Sequence, residues 1–167
     1  VVELGREALA LAEGQIRGKE EKVEVRSESP DTVDDIETDP AKLKQIIVNL
    51  VGNALKFTES GEIVLRFEAH GDTSELAAIA VSDTGIGIPV ERRSAIFEAF
   101  QQAEAGTARQ FGGTGLGLAI CRELAKLMNG EVGYFYDRGA NFWIELPNNM
   151  TRKNHVNESA RNTSRGV

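Results

Sequence analysis

The sequence is poor in the residues and segments that define several classes of protein. Its single cysteine, Cys121, excludes an intramolecular disulfide and any metal site built from several cysteines. It has no run of the roughly 20 apolar residues that a membrane span needs, and its first residues do not show the pattern of a signal peptide. The net charge of −7 argues against a nucleic-acid partner, which usually meets a basic face. We therefore expect a cytoplasmic chain that makes no direct membrane contact.

The remaining composition is that of one ordinary soluble domain. The 167 residues are 41% hydrophobic and 27% charged, and they contain no internal repeat. Periodicity and turn residues predict helices over residues 1–19, from Pro40 to about Phe57, briefly near 93–100, and from Thr114 to Leu127. They predict strands over residues 23–27, 62–69, 76–81, 131–137 and 141–146.

This order of elements predicts an α+β two-layer sandwich. We expect strands adjacent in sequence to pair antiparallel, with the helices on one face of the sheet. The ordered domain should span residues 1–147, and residues 148–167 should form a flexible tail or linker, because they carry no apolar pattern. The last helix should bury the stripe formed by Leu116, Ile120, Leu124 and Leu127.

The helix that begins at Pro40 carries a polar stripe beside its apolar one. Asp39 is a good N-cap, and Leu43, Ile46, Leu50, Ala54 and Phe57 form the apolar stripe. Asn49, Asn53 and Lys56 lie roughly 100° round the helix from it, at the edge of the core and not opposite it. Amide oxygens suit Mg²⁺, and a lysine suits phosphate. A partly exposed polar edge of an ordinary helix would show the same pattern.

Two glycine-rich segments complete the set of candidate binding residues. Asp83 follows an apolar run and precedes Gly85 and Gly87, so it offers a carboxylate to the exocyclic amine of adenine; an Asx-turn is the structural alternative. The turn at 112–117 feeds a helix N-terminus, which suits phosphate, although a plain helix-start loop would also contain glycine. It matches neither the Walker nor the Rossmann spacing. Together the segments predict a pocket for Mg-ATP.

Four motifs in this order resemble the catalytic, ATP-binding domain of sensor histidine kinases of two-component systems. The resemblance covers about residues 1–147, and its motifs are the N box at 49–58, the first glycine box at 83–87, the F box at 96–100 and the second glycine box at 113–118. It implies a Bergerat-type fold, shared with gyrase, mismatch-repair and heat-shock ATPases, with a mostly antiparallel sheet and a mobile ATP lid over about residues 91–112.

The resemblance also implies roles for individual residues. Asn53 would bind Mg²⁺, Asn49 and Lys56 would contact the phosphates, Asp83 would bind adenine N6, and Arg109 in the lid would lie near the γ-phosphate. Phe97 and Phe100 would anchor the lid, although such a pair is also typical of a core. The full set of predicted nucleotide-binding residues is Asn49, Asn53, Lys56, Phe57, Asp83, Gly85, Gly87, Ile88, Phe97, Phe100, Gly112, Gly113, Thr114, Gly115, Leu116, Gly117 and Leu118.

The expected reaction follows from position 49. The hydrolytic members of the superfamily carry a glutamate there as a base, whereas Asn49 cannot take a proton near neutral pH. We therefore expect transfer of phosphate to a protein, with Asn49, Lys56 and Arg109 taking part in catalysis. In the family the acceptor histidine precedes an acidic residue on dimerisation helices, and neither His70 nor His155 has that context. The acceptor should therefore lie on a partner segment outside this sequence.

Three other functions remain open at this stage. One is a serine kinase of the anti-sigma-factor type, which the F box and the lid sequence from Arg109 disfavour. Another is an inactive regulatory module, which would be expected to have degenerate motifs. The third is an ATP-hydrolysing clamp, which Asn49 disfavours. Two glutamines after Phe100 resemble those of hybrid kinases, so a receiver domain or a separate response regulator is a further expected partner. We expect Cys121 to be buried packing.

Overall fold

The computed structural model describes residues 2–13, 22–29, 38–70, 76–99 and 115–147. Within them lie three α-helices, five strands and one short 3-10 helix. In chain order these are α1 (Val2–Glu13), β1 (Val23–Glu28), α2 (Pro40–Phe57), β2 (Gly61–His70), β3 (Leu76–Asp83), the 3-10 helix (Val90–Arg92), α3 (Gly117–Leu127), β4 (Glu131–Tyr136) and β5 (Ala140–Pro147). The predicted α+β class is confirmed.

The five strands form one sheet in the order β1-β2-β3-β5-β4. Three of the four pairings are antiparallel, so the sheet is mostly antiparallel as predicted. Of the strands adjacent in sequence, β2–β3 and β4–β5 pair antiparallel, β3 and β4 are not neighbours, and β1 and β2 pair in parallel. The expectation that sequence neighbours pair antiparallel is therefore wrong for this pair, because α2 connects them and returns the chain to run in the same direction. β3 pairs with β5, so the β4–β5 hairpin meets β3 through its second strand.

The core lies between the helices and one face of the sheet. Fully buried side chains include Ile63 and Leu65 of β2, Ile79 and Val81 of β3, and Ile144 of β5. In each strand these residues alternate with residues that point to the other face. Gly5 of α1 packs so closely on the sheet that an added Cβ would lie 2.3 Å from the ring of Phe67. All three helices contribute to this single core.

Helix α2 has the predicted bounds and N-cap. The Asp39 side chain accepts hydrogen bonds from the amides of Ala41 and Lys42. Its buried face is wider than the predicted stripe, because Ile47, Val51 and Leu55 are also buried. The C-cap of the helix is Thr58, and Gly61 begins β2 at a φ of +124°.

The buried face of α3 differs from the predicted one. The helix begins at Gly117, and its buried residues are Ala119, Cys121 and Ala125. Ile120 and Leu127 of the predicted stripe are 42% and 69% exposed. The small residues allow α3 to approach α2 closely, and the Sγ of Cys121 lies 3.9 Å from the carbonyl oxygen of Ile46. The expectation that Cys121 is buried packing agrees with its complete burial.

The segment after β3 is less regular than predicted. A short helix was expected near residues 93–100, but the described chain forms the 3-10 helix Val90–Arg92 followed by turns. Phe100, Arg109, Gly112, Gly113 and Thr114 lie outside the described residues, as do most of the predicted lid and the predicted tail at 148–167. At the other end of α3, Asn129 follows the C-cap residue Met128 and adopts a φ of +57°.

Candidate functional site

The candidate site begins with Asp83, the last residue of β3. Its side chain points to the helix-facing side of the sheet and is only 6% exposed. Burial raises the pKa of this carboxyl, and hydrogen bonds from the amides of Gly85 and Ala140 and from the side chain of Thr58 partly oppose the rise. The Gly85 amide donates to Oδ1 of Asp83 at 2.8 Å. This geometry fixes the orientation of a buried acceptor at the end of the sheet.

The C-terminal end of α2 closes against this carboxylate. A Cβ on Gly85 would lie 2.5 Å from the carbonyl oxygen of Phe57 and 2.9 Å from the hydroxyl oxygen of Thr58. Gly85 is therefore required by close approach, as expected for a glycine that lets the backbone reach a neighbour. Thr58 is completely buried. Thr58 belongs to the N box, but its sequence position gives no sign of a role, and its proximity to Asp83 becomes visible only in the fold.

The β4–β5 turn supports the same end of β3 from the other side. Gly139 lies so close to it that an added Cβ would be 1.7 Å from the carbonyl oxygen of Asp83. Asn141 is 7% exposed and donates to the carbonyl oxygens of Asp137 and Gly139, each at 3.3 Å. Ser82 in turn donates to Oδ1 of Asn141 at 2.6 Å. These contacts hold the turn, and thus Asp83, in place.

The other end of the site lies where α2 meets the start of α3. Nδ2 of Asn49 donates to the carbonyl oxygen of Gly117 at 3.3 Å, so the predicted polar stripe faces the second glycine box. The side chain of the N-cap residue Leu116 makes no capping hydrogen bond, and an added Cβ on Gly117 would meet no other part of the described chain within 4 Å. Gly115 has a φ of +67°, which turns the chain into the helix. The first-turn amides of a helix are a typical anion site.

Asn53 and Lys56 lie between these two ends on the same helix. Both side chains are partly exposed. Nζ of Lys56 lies 4.9 Å from the ring centroid of Phe57, and burial lowers the pKa of the Lys56 ammonium. One turn before the stripe, Gln45 donates to Oδ1 of Asn49 at 3.1 Å. The stripe therefore forms a continuous polar wall from the α3 terminus toward Asp83.

The loop after Asp83 and the F-box segment pack against β4 and β5. Phe97 meets Phe142 edge to face, with ring centroids 6.4 Å apart, so the described part of the F box packs on the sheet. Ile88 packs partly buried against the core. Its amide donates to Oη of Tyr134 at 3.0 Å. Tyr134 could not be recognised from the sequence, because a tyrosine within a strand is typical of ordinary packing.

Contacts along α2 bring several of the predicted site residues near one another. Gly85 lies against Phe57 and Thr58 at the C-terminal end of α2, and Asn49 of the same helix contacts Gly117. Leu116 and Leu118 lie at the start of α3, and Leu118 packs against the core. The predicted residues 100, 109 and 112–114 lie outside the described part of the chain. Cys121 lies beside Asn49, and burial raises the pKa of its thiol to about 12, so the thiol stays protonated at neutral pH.

Comparison with known proteins identifies the class. Residues 38–150 match the family of histidine kinase-, DNA gyrase B-, and HSP90-like ATPases. The chain therefore belongs to that family of ATP-binding domains.

Within the family, the relatives are histidine kinases. Hybrid signal transduction histidine kinase K of Dictyostelium discoideum is 43% identical over 121 residues, which is 65% of this chain and 10% of that protein. The catalytic domain of histidine kinase ThkA superposes with a TM-score of 0.73 at 30% identity, covering 89% of this chain and 92% of that one. The structure of full-length ShkA in complex with AMPPNP superposes with a TM-score of 0.73 at 36% identity, covering 86% of this chain and 29% of that one. The chain spans 10% to 19% of the length of the curated relatives it matches.

Proposed function

We propose that this chain binds Mg-ATP and transfers the γ-phosphoryl group to a histidine on a partner domain, as the catalytic domain of a two-component sensor histidine kinase. The acceptor helices would belong to the same full-length protein. A response regulator or a receiver domain would take the phosphate next, which the hybrid kinase among the relatives supports. We propose a cytoplasmic site of action. Among the described residues, no helix is long and apolar enough to cross a membrane.

One observation carries the nucleotide assignment: α2 connects two chemically different ends of one surface. At its C-terminal end lies the buried Asp83 acceptor, and at Asn49 it contacts the N-terminus of α3. From Thr58 back to Asn49 the helix axis spans about 14 Å at 1.5 Å per residue. An elongated ligand with an amine-bearing ring at one end and phosphates at the other matches this arrangement.

The metal assignment is tested by the chemistry of the donor set. Among the described residues, no group of three or more His, Cys, Asp or Glu could hold a metal ion. A carboxylate cage is therefore absent from that part of the chain. Mg²⁺ suits a site of the other kind, in which it keeps several waters and shares phosphate oxygens with one protein oxygen. The partly exposed Asn53 amide on the polar stripe fits that requirement. The ion would neutralise phosphate charge when bound.

Transfer is favoured over hydrolysis by the contacts of Asn49. Its Nδ2 group donates to a carbonyl oxygen and its Oδ1 accepts from Gln45, so both ends of the amide are engaged in fixing its position. Neither atom can remove a proton from water near neutral pH. Asn49 would therefore orient the phosphates and Lys56 would neutralise part of their charge. A properly placed acceptor would receive the phosphoryl group. Arg109 stays a predicted participant.

A transfer assay tests the reaction. The chain is incubated with γ-labelled ATP, Mg²⁺ and a helical dimerisation domain that carries a histidine followed by an acidic residue. We expect acid-labile label on the helical domain. Acid-stable phosphoserine would support the serine kinase, and free phosphate without an acceptor would support the hydrolytic clamp. Binding of ATP without either product, across several acceptors, would favour the inactive module.

The site assignment needs matched variants in the same assay. Asp83→Asn and Asn53→Ala should remove most of the transfer. Asp137→Asn makes the same chemical change as Asp83→Asn at an exposed turn position and should leave transfer unchanged. If calorimetry gives Asp83→Asn an unchanged affinity for ADP, the adenine assignment is wrong.

A further inference from the structure

The backbone of Ile88 is held from both sides by side chains of other elements. Its amide donates to Oη of Tyr134 in β4 at 3.0 Å. Its carbonyl oxygen accepts from Nε of Arg93 at 3.0 Å. Ile88 lies in the loop between β3 and the 3-10 helix, where no strand pairing supplies these bonds. Two side chains thus replace the backbone partners that a strand would provide.

The guanidinium of Arg93 is itself fixed by two rings. It lies 5.6 Å from the ring centroid of Tyr134 and 5.4 Å from that of Tyr136. Both distances lie within the range of cation–π attraction. Tyr134 is held in turn by Phe142, with ring centroids 5.0 Å apart. The chain of contacts therefore runs from the core, through the two tyrosines, to Arg93 and the loop.

The loop has little freedom to move away from these rings. Gly87 adopts a φ of +68°, and a Cβ added there would lie 2.7 Å from the ring of Tyr136. The ring of Tyr136 thus covers Gly87 on one side while Arg93 and Tyr134 hold the next residue. Gly85, two residues earlier, is held against α2 by Phe57 and Thr58. The loop is therefore fixed at both of its ends.

We propose that Arg93, Tyr134 and Tyr136 form a clamp that positions the loop at 85–89 for the ring end of the nucleotide. These are positioning residues and touch no reacting atom. The proposal rests on the proposed nucleotide site. Its physical basis is preorganisation: a loop already held in the binding conformation loses less conformational entropy when the ligand arrives. The clamp therefore sets affinity for the adenine end and leaves the phosphate end unchanged.

The sharpest test removes one hydroxyl. Tyr134→Phe keeps the ring but deletes the acceptor for the Ile88 amide. Thr38→Val also deletes one partly buried hydroxyl, which bonds Met128 Sδ away from the clamp, so it is the control. By calorimetry with Mg-ADP, we expect Tyr134→Phe to weaken binding about three- to tenfold, which one lost hydrogen bond produces. Thr38→Val should change the affinity less than about twofold.

Two further readouts separate positioning from a general loss of structure. Hydrogen exchange of the Ile88 amide should become about tenfold faster in Tyr134→Phe, while the amide of Val81 in β3 keeps its native rate. The ratio of ADP to GDP affinity should fall, because the loop defines the ring end. Arg93→Ala should repeat both effects. Native exchange at Ile88 together with native ADP affinity in Tyr134→Phe would overturn the clamp.

The outcome for the clamp is distinct from that for the proposed function. If the native chain binds no ADP, the proposed function fails, and the Ile88 exchange rate alone then decides whether the clamp exists. If the native chain binds ADP but Tyr134→Phe and Thr38→Val lose affinity equally, the clamp fails and the nucleotide site stands. Circular dichroism of each variant confirms that it is folded before its affinity is compared.

Discussion

Asp83 combines two requirements that oppose each other at the level of one residue. Burial raises the pKa of its carboxyl, so the nucleotide-free fold disfavours the charged form relative to the unfolded chain. Between the ordinary pKa of an unfolded aspartate and the raised value, the folded chain binds the extra proton. The contribution of Asp83 to stability therefore falls as pH rises through that window. The carboxylate is retained at a cost to the empty domain, which is typical of a ligand site.

This sign leads to a first prediction. Above the window, Asp83→Asn should leave the nucleotide-free chain at least as stable as the native one, and the difference should vanish below about pH 4. The same variant should bind ADP at least about tenfold more weakly, because a charge-assisted hydrogen bond is lost. Chemical denaturation across pH and calorimetry measure the two effects. A clear loss of stability at neutral pH in Asp83→Asn, absent from Asp137→Asn, would contradict the assignment.

Asn49 offers a second test at the same scale. Asn49→Asp keeps the shape of the side chain but replaces the Nδ2 donor with an oxygen that faces the carbonyl oxygen of Gly117. We expect the free energy of unfolding to fall by about 1–3 kcal/mol, the cost of an unsatisfied and repelled acceptor. Gln45→Glu is the control, since Gln45 is exposed, and should stay within about 0.5 kcal/mol. Gln45→Glu changes the other hydrogen bond of the same amide, but at an exposed position. A loss in Asn49→Asp no larger than that in Gln45→Glu, measured by urea denaturation, would show that the bond to Gly117 adds nothing beyond the exposed one.

At the scale of elements, the start of α3 separates stability from binding. Gly117 stands in the first turn with open space around its α-carbon. Gly117→Ala should therefore raise stability by up to about 1 kcal/mol, since alanine favours a helix. The added methyl group would occupy space proposed for phosphate, so ADP affinity should fall. Thermal denaturation and calorimetry on one sample test both. If Gly117→Ala changes neither the stability nor the ADP affinity, the phosphates do not bind beside Gly117.

The face that α3 buries gives another prediction for an element. Ala125 is 1% exposed against α2, whereas Leu127 is 69% exposed. Ala125→Leu should cost about 1–3 kcal/mol through overpacking of the α2–α3 contact. Leu127→Ala should stay within about 0.5 kcal/mol. If denaturant titrations show a larger loss of stability in Leu127→Ala than in Ala125→Leu, the buried face is the stripe that the sequence predicted.

For the whole molecule, Mg-ADP should contact the end of β3, helix α2 and the start of α3, and so stabilise the folded state. At 100 times its dissociation constant, Mg-ADP should add about 2.7 kcal/mol to the free energy of unfolding. For a domain of this size that corresponds to a rise of roughly 5–10 °C in Tm. Differential scanning fluorimetry measures the shift. Chelation of Mg²⁺ should remove most of it, and an equal shift with and without chelator would argue against the metal.

Local signals in the sequence determined most of the elements and the chemistry of the site. The capped start of α2 at Asp39, its polar stripe, Asp83 at a strand end and the glycines before α3 all depend on residues close together in the chain. Their meaning could therefore be predicted from periodicity, caps and residue types. The same signals indicated the family, because four motifs in one order are specific even without a fold.

Only the tertiary structure decided which distant residues meet. Four contacts join segments that are far apart in the sequence. They are the parallel pairing of β1 with β2, the packing of the Ala and Cys face of α3, the contact of Thr58 with Asp83, and the hydrogen bonds of Arg93 and Tyr134 to Ile88. Such contacts depend on how whole layers pack, and a tyrosine in a strand carries no local sign of the amide it will accept from. The residue types proposed to bind the nucleotide thus follow from local sequence, while the shape that positions them came from long-range packing.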